Sequence, residues 1–232
     1  MIELRPFAEL GGADHGWLKA RHHFSFASYH NPARLGWGPL LVWNDDTIAP
    51  GTGFPPHSHR DMEIITYVRK GAITHEDNLG NKGRTEAGDV QIMSAGTGIR
   101  HSEYNLEPGE TQIFQIWIAP EREGEAPRWG ARPFPKGARA GQFVPLASGY
   151  EEDGALPLRA PARVLGATLK AGEAATYTLG RERLAYLVPA AGEVEIDGVK
   201  VAARDGVAIK DVETLTIRAL QDSEIVLVDT AS

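Results

Sequence analysis

The sequence contains no cysteine among its 232 residues. This absence excludes disulfide bonds, thiolate metal ligands and a thiol nucleophile. Residues 1–7 lack the apolar core of a signal peptide, and no apolar run approaches the roughly 18 residues of a membrane-spanning helix. We therefore expect a cytoplasmic protein that makes no contact with a membrane.

Clusters of basic residues are also absent. The 24 Lys and Arg are outnumbered by 31 Asp and Glu, which gives a net charge of −7. Because a nucleic-acid-binding protein normally presents a basic face, we expect no direct contact with nucleic acid. Histidine is missing from the second half, since all eight imidazoles lie at or before position 101.

Hydrophobic periodicity predicts an all-β protein. Residues 63–68, 89–93 and 112–118 read as short strands, residues 193–201 read as a β-hairpin with its turn at Asp197-Gly198, and no long apolar stripe recurs at helical spacing. Asn44-Asp45-Asp46 reads as a turn between strands. Residues 119–127 are charged and bounded by proline, which is typical of an interdomain crossing. The sequence thus predicts two domains, at residues 1–125 and 126–232.

Two pairs of polar residues share one spacing. His57 and His59 are two residues apart, and so are His101 and Glu103. Residues i and i+2 of a strand point to the same face, so neighbouring strands would direct three imidazoles and one carboxylate at one point. Such a set is typical of a divalent transition-metal site, and a purely structural role for all four residues is the alternative. Structural zinc sites are usually rich in cysteine, so an open, working metal is favoured.

The same region resembles the two conserved motifs of the cupin superfamily. The matching residues are Gly51-x5-His57-x-His59-x3-Glu63 in the first motif, and Gly88-x5-Ser94-x-Gly96 with His101-x3-Asn105 in the second. Two spacings depart from the general motifs, since Gly71 follows Glu63 after seven residues rather than six and His101 comes two residues late. Both departures, together with His-Ser-Glu at 101–103, resemble the pirin branch of the cupins.

The resemblance implies a bicupin fold, in which two antiparallel jelly-roll β-barrels stand in tandem. It also implies one divalent transition metal per chain, bound by His57, His59, His101 and Glu103, with Glu63 left out. Fe(II) is the expected ion, and Zn, Mn, Co, Ni and Cu remain alternatives. Bacterial pirin-like proteins resemble quercetin 2,3-dioxygenases, which implies O2 and a flavonol or similar enol or phenol as substrates. Glu103 would then also act as the catalytic base.

Other functions remain open at this stage. Animal pirins resemble metal-dependent transcription cofactors, so a non-enzymatic binding protein with a protein partner is the main alternative to the enzyme. Sugar isomerisation is a third hypothesis, and it would require phosphate-binding Arg or Lys near the site. We expect a monomer in either case.

The second half carries a faint repeat of the first, at an offset of 119 residues. His57, His59 and Tyr67 lie over Thr176, Thr178 and Tyr186. The spacing is kept and the ligands are lost, so we expect a degenerate second barrel without metal.

Two further segments have open interpretations. The histidines at 22, 23 and 30 lie among aromatic residues, and either form a wall over the site or pack with satisfied hydrogen bonds. Gln115 alternates with apolar neighbours and either reaches the pocket or belongs to a barrel wall.

Overall fold

The computed structural model describes residues 1–232, and β-strands dominate it. The only helices are four 3-10 turns, at Phe7–Glu9, Pro32–Arg34, Lys136–Arg139 and Glu151–Asp153. None of them has the length and apolar character needed to cross a bilayer. The predicted all-β class is therefore confirmed. The strands are β1 Ile2–Arg5, β2 Gly11–Asp14, β3 Leu18–His22, β4 Leu40–Ile48, β5 Gly53–His59, β6 Glu63–Lys70, β7 Ala72–Asp77, β8 Lys82–Glu86, β9 Val90–Ser94, β10 Ile99–Tyr104, β11 Thr111–Ile118, β12 Arg128–Arg132, β13 Val144–Ser148, β14 Leu156–Pro157, β15 Ala162–Leu169, β16 Ala174–Thr178, β17 Arg183–Ala191, β18 Glu193–Ile196, β19 Val199–Ala202, β20 Gly206–Lys210, β21 Thr214–Ala219 and β22 Ser223–Ala231.

The strands form four sheets, and the two halves of the chain repeat one arrangement. The first half has a four-stranded sheet, β5-β10-β7-β8, and a seven-stranded sheet, β12-β9-β6-β11-β4-β3-β2. The second half has β16-β21-β18-β19 and β1-β20-β17-β22-β15-β13-β14. Strands β4 to β11 therefore recur in the same order as β15 to β22. This order supports the internal repeat, and it puts Thr176 and Thr178 on β16, the counterpart of β5.

One edge of each seven-stranded sheet is covered by a strand from a distant part of the sequence. β1 pairs with β20 of the second half, with Ile2 opposite Ile209. β12 pairs with β9 of the first half, with Trp129 opposite Met93. Uncovered sheet edges present unpaired N–H and C=O groups, so these strands satisfy backbone groups and also link the two halves.

The largest apolar core lies between the two halves. It contains 22 buried residues, most of which come from the two seven-stranded sheets. Trp43 is fully buried there, and its ring centroid lies 5.4 Å from that of Phe114 and 5.6 Å from that of Tyr186. The interior of the second half holds a separate cluster of 16 buried apolar residues, whereas the first half has only clusters of six and four.

The turn predicted at Asn44-Asp45-Asp46 is wrong, because all three residues lie buried in the middle of β4. Asp45 accepts hydrogen bonds from Arg204 at 2.6 and 3.1 Å and pairs with Arg69. Asn44 accepts a hydrogen bond from His22 Nδ1 at 2.8 Å. These distant partners offset the desolvation of the polar groups, and local turn preference is overridden.

The histidines near the N-terminus are packed and hydrogen-bonded. His22 bonds to Asn44, and His23 Nδ1 lies 2.8 Å from the hydroxyl of Tyr186. Both are buried, whereas His30 is exposed. The packing interpretation is thus confirmed for His22, and for His23 in part, because the Nε2 of His23 is buried without a hydrogen-bond partner.

The core between the halves yields a stability prediction. Replacing Trp43 with alanine should lower the free energy of unfolding by about 3–5 kcal/mol, because a large buried ring is lost and a cavity remains. Urea denaturation followed by circular dichroism measures this change. The control is Leu35→Ala, whose side chain is exposed and should shift stability by less than about 0.5 kcal/mol. Equal effects of the two changes would contradict the assigned core.

Candidate metal centre

Strand β10 is central to the site because it lies between β5 and β7. His101 stands opposite His57 on β5 and opposite Asp77 on β7. Glu103 stands opposite His75 on β7, and a register shift between His101 and Glu103 puts Phe54 of β5 beside Glu103. Since alternate residues share a face, these side chains all point to the same side of the four-stranded sheet.

Three imidazoles converge there. His57 Nε2 and His101 Nε2 are 3.0 Å apart. The ring of His59 lies 4.7 Å from that of His57 and 5.0 Å from that of His101, centroid to centroid. One ring nitrogen from each of the three lies within 4.8 Å of the others. Sequence spacing predicted that Glu103 would meet the three imidazoles at one point, and the structure groups Glu103 with His101 and His75 instead.

The arrangement fits a transition-metal ion. Two nitrogens that each bind one ion at about 2.0–2.1 Å come to within roughly 3 Å of each other, as His57 and His101 do. Metal binding also requires neutral imidazole. Burial, together with the neighbouring histidines, lowers the pKa of His101 to about 2, and burial and His57 lower the pKa of His59 to about 4. Both rings are therefore neutral at pH 7.

Glu103 is a buried carboxyl held by two amides. Its oxygens accept hydrogen bonds from Gln115 Nε2 at 2.7 Å and from Gln91 Nε2 at 3.1 Å. Burial raises its pKa to about 7, although both amide hydrogen bonds act in the opposite direction. A carboxylate oxygen of Glu103 lies within 4.8 Å of ring nitrogens of His75 and His101. Glu103 thus adjoins the three histidines through His101.

A cavity of about 510 Å³ opens onto these groups. The polar residues that line it are His15, His57, His59, Glu103 and Gln115, so Gln115 does reach the pocket. Its apolar walls are largely aromatic. The aromatic wall residues are Trp17, Phe26, Phe54 and Trp117. Phe26 meets Trp117 edge-to-face with 5.5 Å between ring centroids, and Trp17 meets Phe54 at 5.3 Å. A flat aromatic molecule can therefore contact rings on several sides.

Sequence reasoning gave no role to His75 and Asp77, which lie behind His101. His75 Nδ1 is 3.2 Å from His101 Nδ1, and His75 Nε2 is 2.7 Å from Asp77 Oδ2. The ring of His75 stacks on Trp129 at 4.8 Å and 8°. The signal for these residues was present, because His75-x-Asp77 has the same two-residue spacing as the other two pairs.

Comparisons with known proteins find relatives that match along the whole chain. Residues 4–118 match the pirin family, and residues 145–230 match the family described as the quercetinase C-terminal cupin domain. A pirin-like protein of Caulobacter vibrioides is 69% identical over 232 residues, covering all of both chains. The chain belongs to the pirin family. Its likeness to a bacterial pirin therefore extends beyond the metal motifs to the whole sequence.

The name of one further relative of this pirin, and the metal bound in the structure of another, bear on function. A quercetin 2,3-dioxygenase of Escherichia coli K12 is 44% identical, covering 99% of this chain and 98% of the relative. The crystal structure of YhhW from E. coli has a TM-score of 0.94 at 42% identity, covering 99% and 97% of the two chains. YhhW in complex with nickel(II) has a TM-score of 0.92, also at 42% identity, covering 100% and 99%. With the donor set described above, the nickel complex supports a metal ion in this pirin.

Glu63 lies outside both groups of atoms that could hold a metal ion in this pirin. Its Oε2 accepts hydrogen bonds from Ser94 Oγ at 2.7 Å and from the backbone N–H of Arg159 at 3.1 Å. The carboxylate therefore bonds to the second half of the chain. On β16, Thr176 and Thr178 are exposed.

Asp46 is another buried carboxyl in the first half of the pirin. It is 3% exposed, and its Oδ1 has no hydrogen-bond partner. Burial, with the nearby charges of Asp45 and Glu103, raises its pKa to about 8. Because the pKa is higher in the folded than in the unfolded chain, folding favours the protonated form. The stability that this form contributes is complete below the unfolded pKa near 4 and is lost as pH rises toward 8.

We expect Asp46→Asn to flatten the pH dependence of stability in metal-free protein. Between pH 5 and 8 the parent should lose about 1.4 kcal/mol per pH unit at this residue, because a buried carboxyl must ionise. The Asp46→Asn variant should not show this loss, because its amide has the same shape and cannot ionise. Denaturation midpoints in the presence of a chelator at several pH values measure the difference. Asp197→Asn, at an exposed turn, is the control, and parallel curves for parent and Asp46→Asn would contradict the prediction.

Proposed function

We propose that His57, His59, His101 and Glu103 bind one divalent transition-metal ion per chain. The observation that carries this proposal is the convergence of three imidazoles beside a buried carboxyl that lines an open cavity. Fe(II) is the proposed ion, and Ni, Zn, Mn, Co and Cu suit the same donors. The nickel complex of YhhW supports a metal of this class without choosing among them.

Metal content should depend on Glu103 and not on Glu63. Glu103→Ala should lose much of the bound metal, whereas Glu63→Gln should keep most of it, because Glu63 is engaged with Ser94 and Arg159. Elemental analysis of protein loaded with Fe(II) under argon measures both. The reverse ranking would assign the fourth ligand to the first cupin motif.

We propose that the metal site serves a dioxygenase of the quercetin 2,3-dioxygenase type, which acts on a flavonol or a similar enol or phenol with O2. The name of the E. coli K12 relative supports this reaction class. The cavity supports it independently, because its volume is within the range of small-molecule sites and its walls are aromatic. Apolar walls also exclude water from a hydroxyl that reaches the histidines.

Glu103 is the residue that we propose to accept the proton of the substrate hydroxyl. It borders the cavity, and its two amide partners fix the direction of its oxygens. A bound divalent ion supplies Lewis acidity, which lowers the pKa of a hydroxyl that approaches it. The same positive charge lowers the pKa of Glu103, so donor and acceptor shift in the same direction. Proton transfer then requires only that the hydroxyl lie within hydrogen-bond distance of Glu103.

Turnover should fall when Glu103 becomes glutamine. The variant keeps the shape and an amide oxygen, and it loses the basic carboxylate, so metal-saturated protein should bind a flavonol but consume O2 about 10²–10⁴-fold more slowly. Single-turnover O2 consumption measures this, with substrate binding followed by absorbance. Glu63→Gln, the same change at another buried carboxyl, is the control.

Two outcomes of this experiment would revise the proposal. Parental turnover by Glu103→Gln at full metal occupancy would leave Glu103 as a ligand only. No turnover by the parent with any of the candidate metals would favour a metal-dependent regulatory protein with a protein partner.

We also propose that each half is a jelly-roll barrel, that the domains divide near residue 125, and that the chain is a cytoplasmic monomer. The repeated strand order supports the tandem arrangement, and the two family matches fall on either side of the proposed division. The second barrel would be structural or regulatory rather than metal-binding, because apolar side chains fill its interior. Light scattering of purified protein and fractionation of the host cell test the last two expectations.

A further inference from the structure

Asp77 and His75 form a buried hydrogen-bonded chain that ends at His101. Both side chains have no exposed surface. The chain has two links, 2.7 Å from Asp77 Oδ2 to His75 Nε2 and 3.2 Å from His75 Nδ1 to His101 Nδ1. The opposite nitrogen of His101, Nε2, is the one that faces His57.

The carboxylate of Asp77 has a fixed position and accepts only. Its Oδ1 accepts the backbone N–H groups of Leu79 at 2.9 Å and Asn81 at 3.1 Å. The Asn81 amide donates to both oxygens, at 3.2 and 3.0 Å. The remaining partner of Oδ2 is His75 Nε2, which must therefore carry a proton and donate it.

The proton on His75 Nε2 determines which nitrogen of His101 carries a proton. A neutral imidazole has one N–H, so His75 with its proton on Nε2 presents an unprotonated Nδ1. His101 Nδ1 must then donate to it, which leaves the lone pair of His101 Nε2 free to face the ion. Stacking on Trp129 holds the plane of the His75 ring and so keeps the direction of both hydrogen bonds.

We propose that Asp77 and His75 are positioning residues that set the tautomer of His101 and so prepare Nε2 for metal. The inference rests on the proposed metal function of His101. His57 reaches the same tautomer by a different route, because its Nδ1 lies 2.7 Å from the backbone carbonyl of Pro55. Outer-shell partners of this kind typically change metal affinity 10–100-fold.

The isosteric variant Asp77→Asn should reverse the direction of both hydrogen bonds, from residue 77 to His75 and from His75 to His101. Its carbonyl oxygen must stay at the Oδ1 position, where two backbone N–H groups donate, so its NH2 group faces His75. His75 Nε2 must then accept, its proton moves to Nδ1, and His101 is left with its proton on Nε2. We expect the nickel(II) affinity to fall about 10–100-fold, measured by competition with a chromophoric chelator.

Two controls separate this mechanism from loss of charge or of structure. Glu76→Gln loses the same charge on the same strand, but Glu76 is exposed and pairs with Lys82, so affinity should be unchanged. In a His75→Phe background, which keeps a ring against Trp129, Asp77→Asn should have no further effect on nickel affinity. Additive effects of the two changes would overturn the proposed chain.

Tautomers can be observed directly without metal or turnover. Long-range ¹H–¹⁵N spectra of the metal-free parent should show the proton on Nε2 of His75 and on Nδ1 of His101, and both should switch in Asp77→Asn. A parent in which His75 carries its proton on Nδ1 would overturn the inference, even if the variant fails to fold. A parent that binds no nickel would instead refute the metal function, while the spectra still decide the tautomers.

Discussion

The two-residue alternation of side chains along β10 is the constraint on which the site depends. Because His101 and Glu103 point to the same side, their cross-strand neighbours do so as well, and β5 and β7 each add a pair of polar groups. A shift of β10 by one residue would turn its pair away from the interior. The hydrogen bonds of the four-stranded sheet therefore define the metal site as much as the imidazoles do.

The polar interior of the first half has a desolvation cost that the apolar interior of the second half does not have. Both halves use the same strand order, yet the second is filled by 16 buried apolar residues, and the first buries carboxyls, amides and imidazoles. Desolvation opposes charge in these groups, as the raised pKa values of Asp46 and Glu103 show. The apolar core between the halves connects a polar interior, which holds the candidate metal centre, to an apolar one.

The features of the fold and site that the sequence predicted are those that depend on short-range residue patterns. Alternating apolar residues gave the β class, and the spacings of His57 with His59 and of His101 with Glu103 gave shared faces. Partners that are distant in sequence were not visible in these patterns. Asp45 can lie in a buried strand because its charge is paired with Arg69 and Arg204, which are 24 and 159 residues away.

Other features depend on tertiary neighbours in the same way. The pairing of β1 with β20 cannot be read from either segment alone. The spacing of His75 and Asp77 was visible, but its meaning required knowing that β7 lies next to β10.

The covering of one sheet edge by β1 has a consequence for synthesis on the ribosome. Ile2 pairs with Ile209, so β1 emerges from the ribosome long before β20 exists. At about 5–20 residues per second, the segment waits on the order of 10–40 seconds for its partner. During this interval the strands of the first half can already pair with one another and with β12. The first residues translated are therefore among the last to be fixed in the fold.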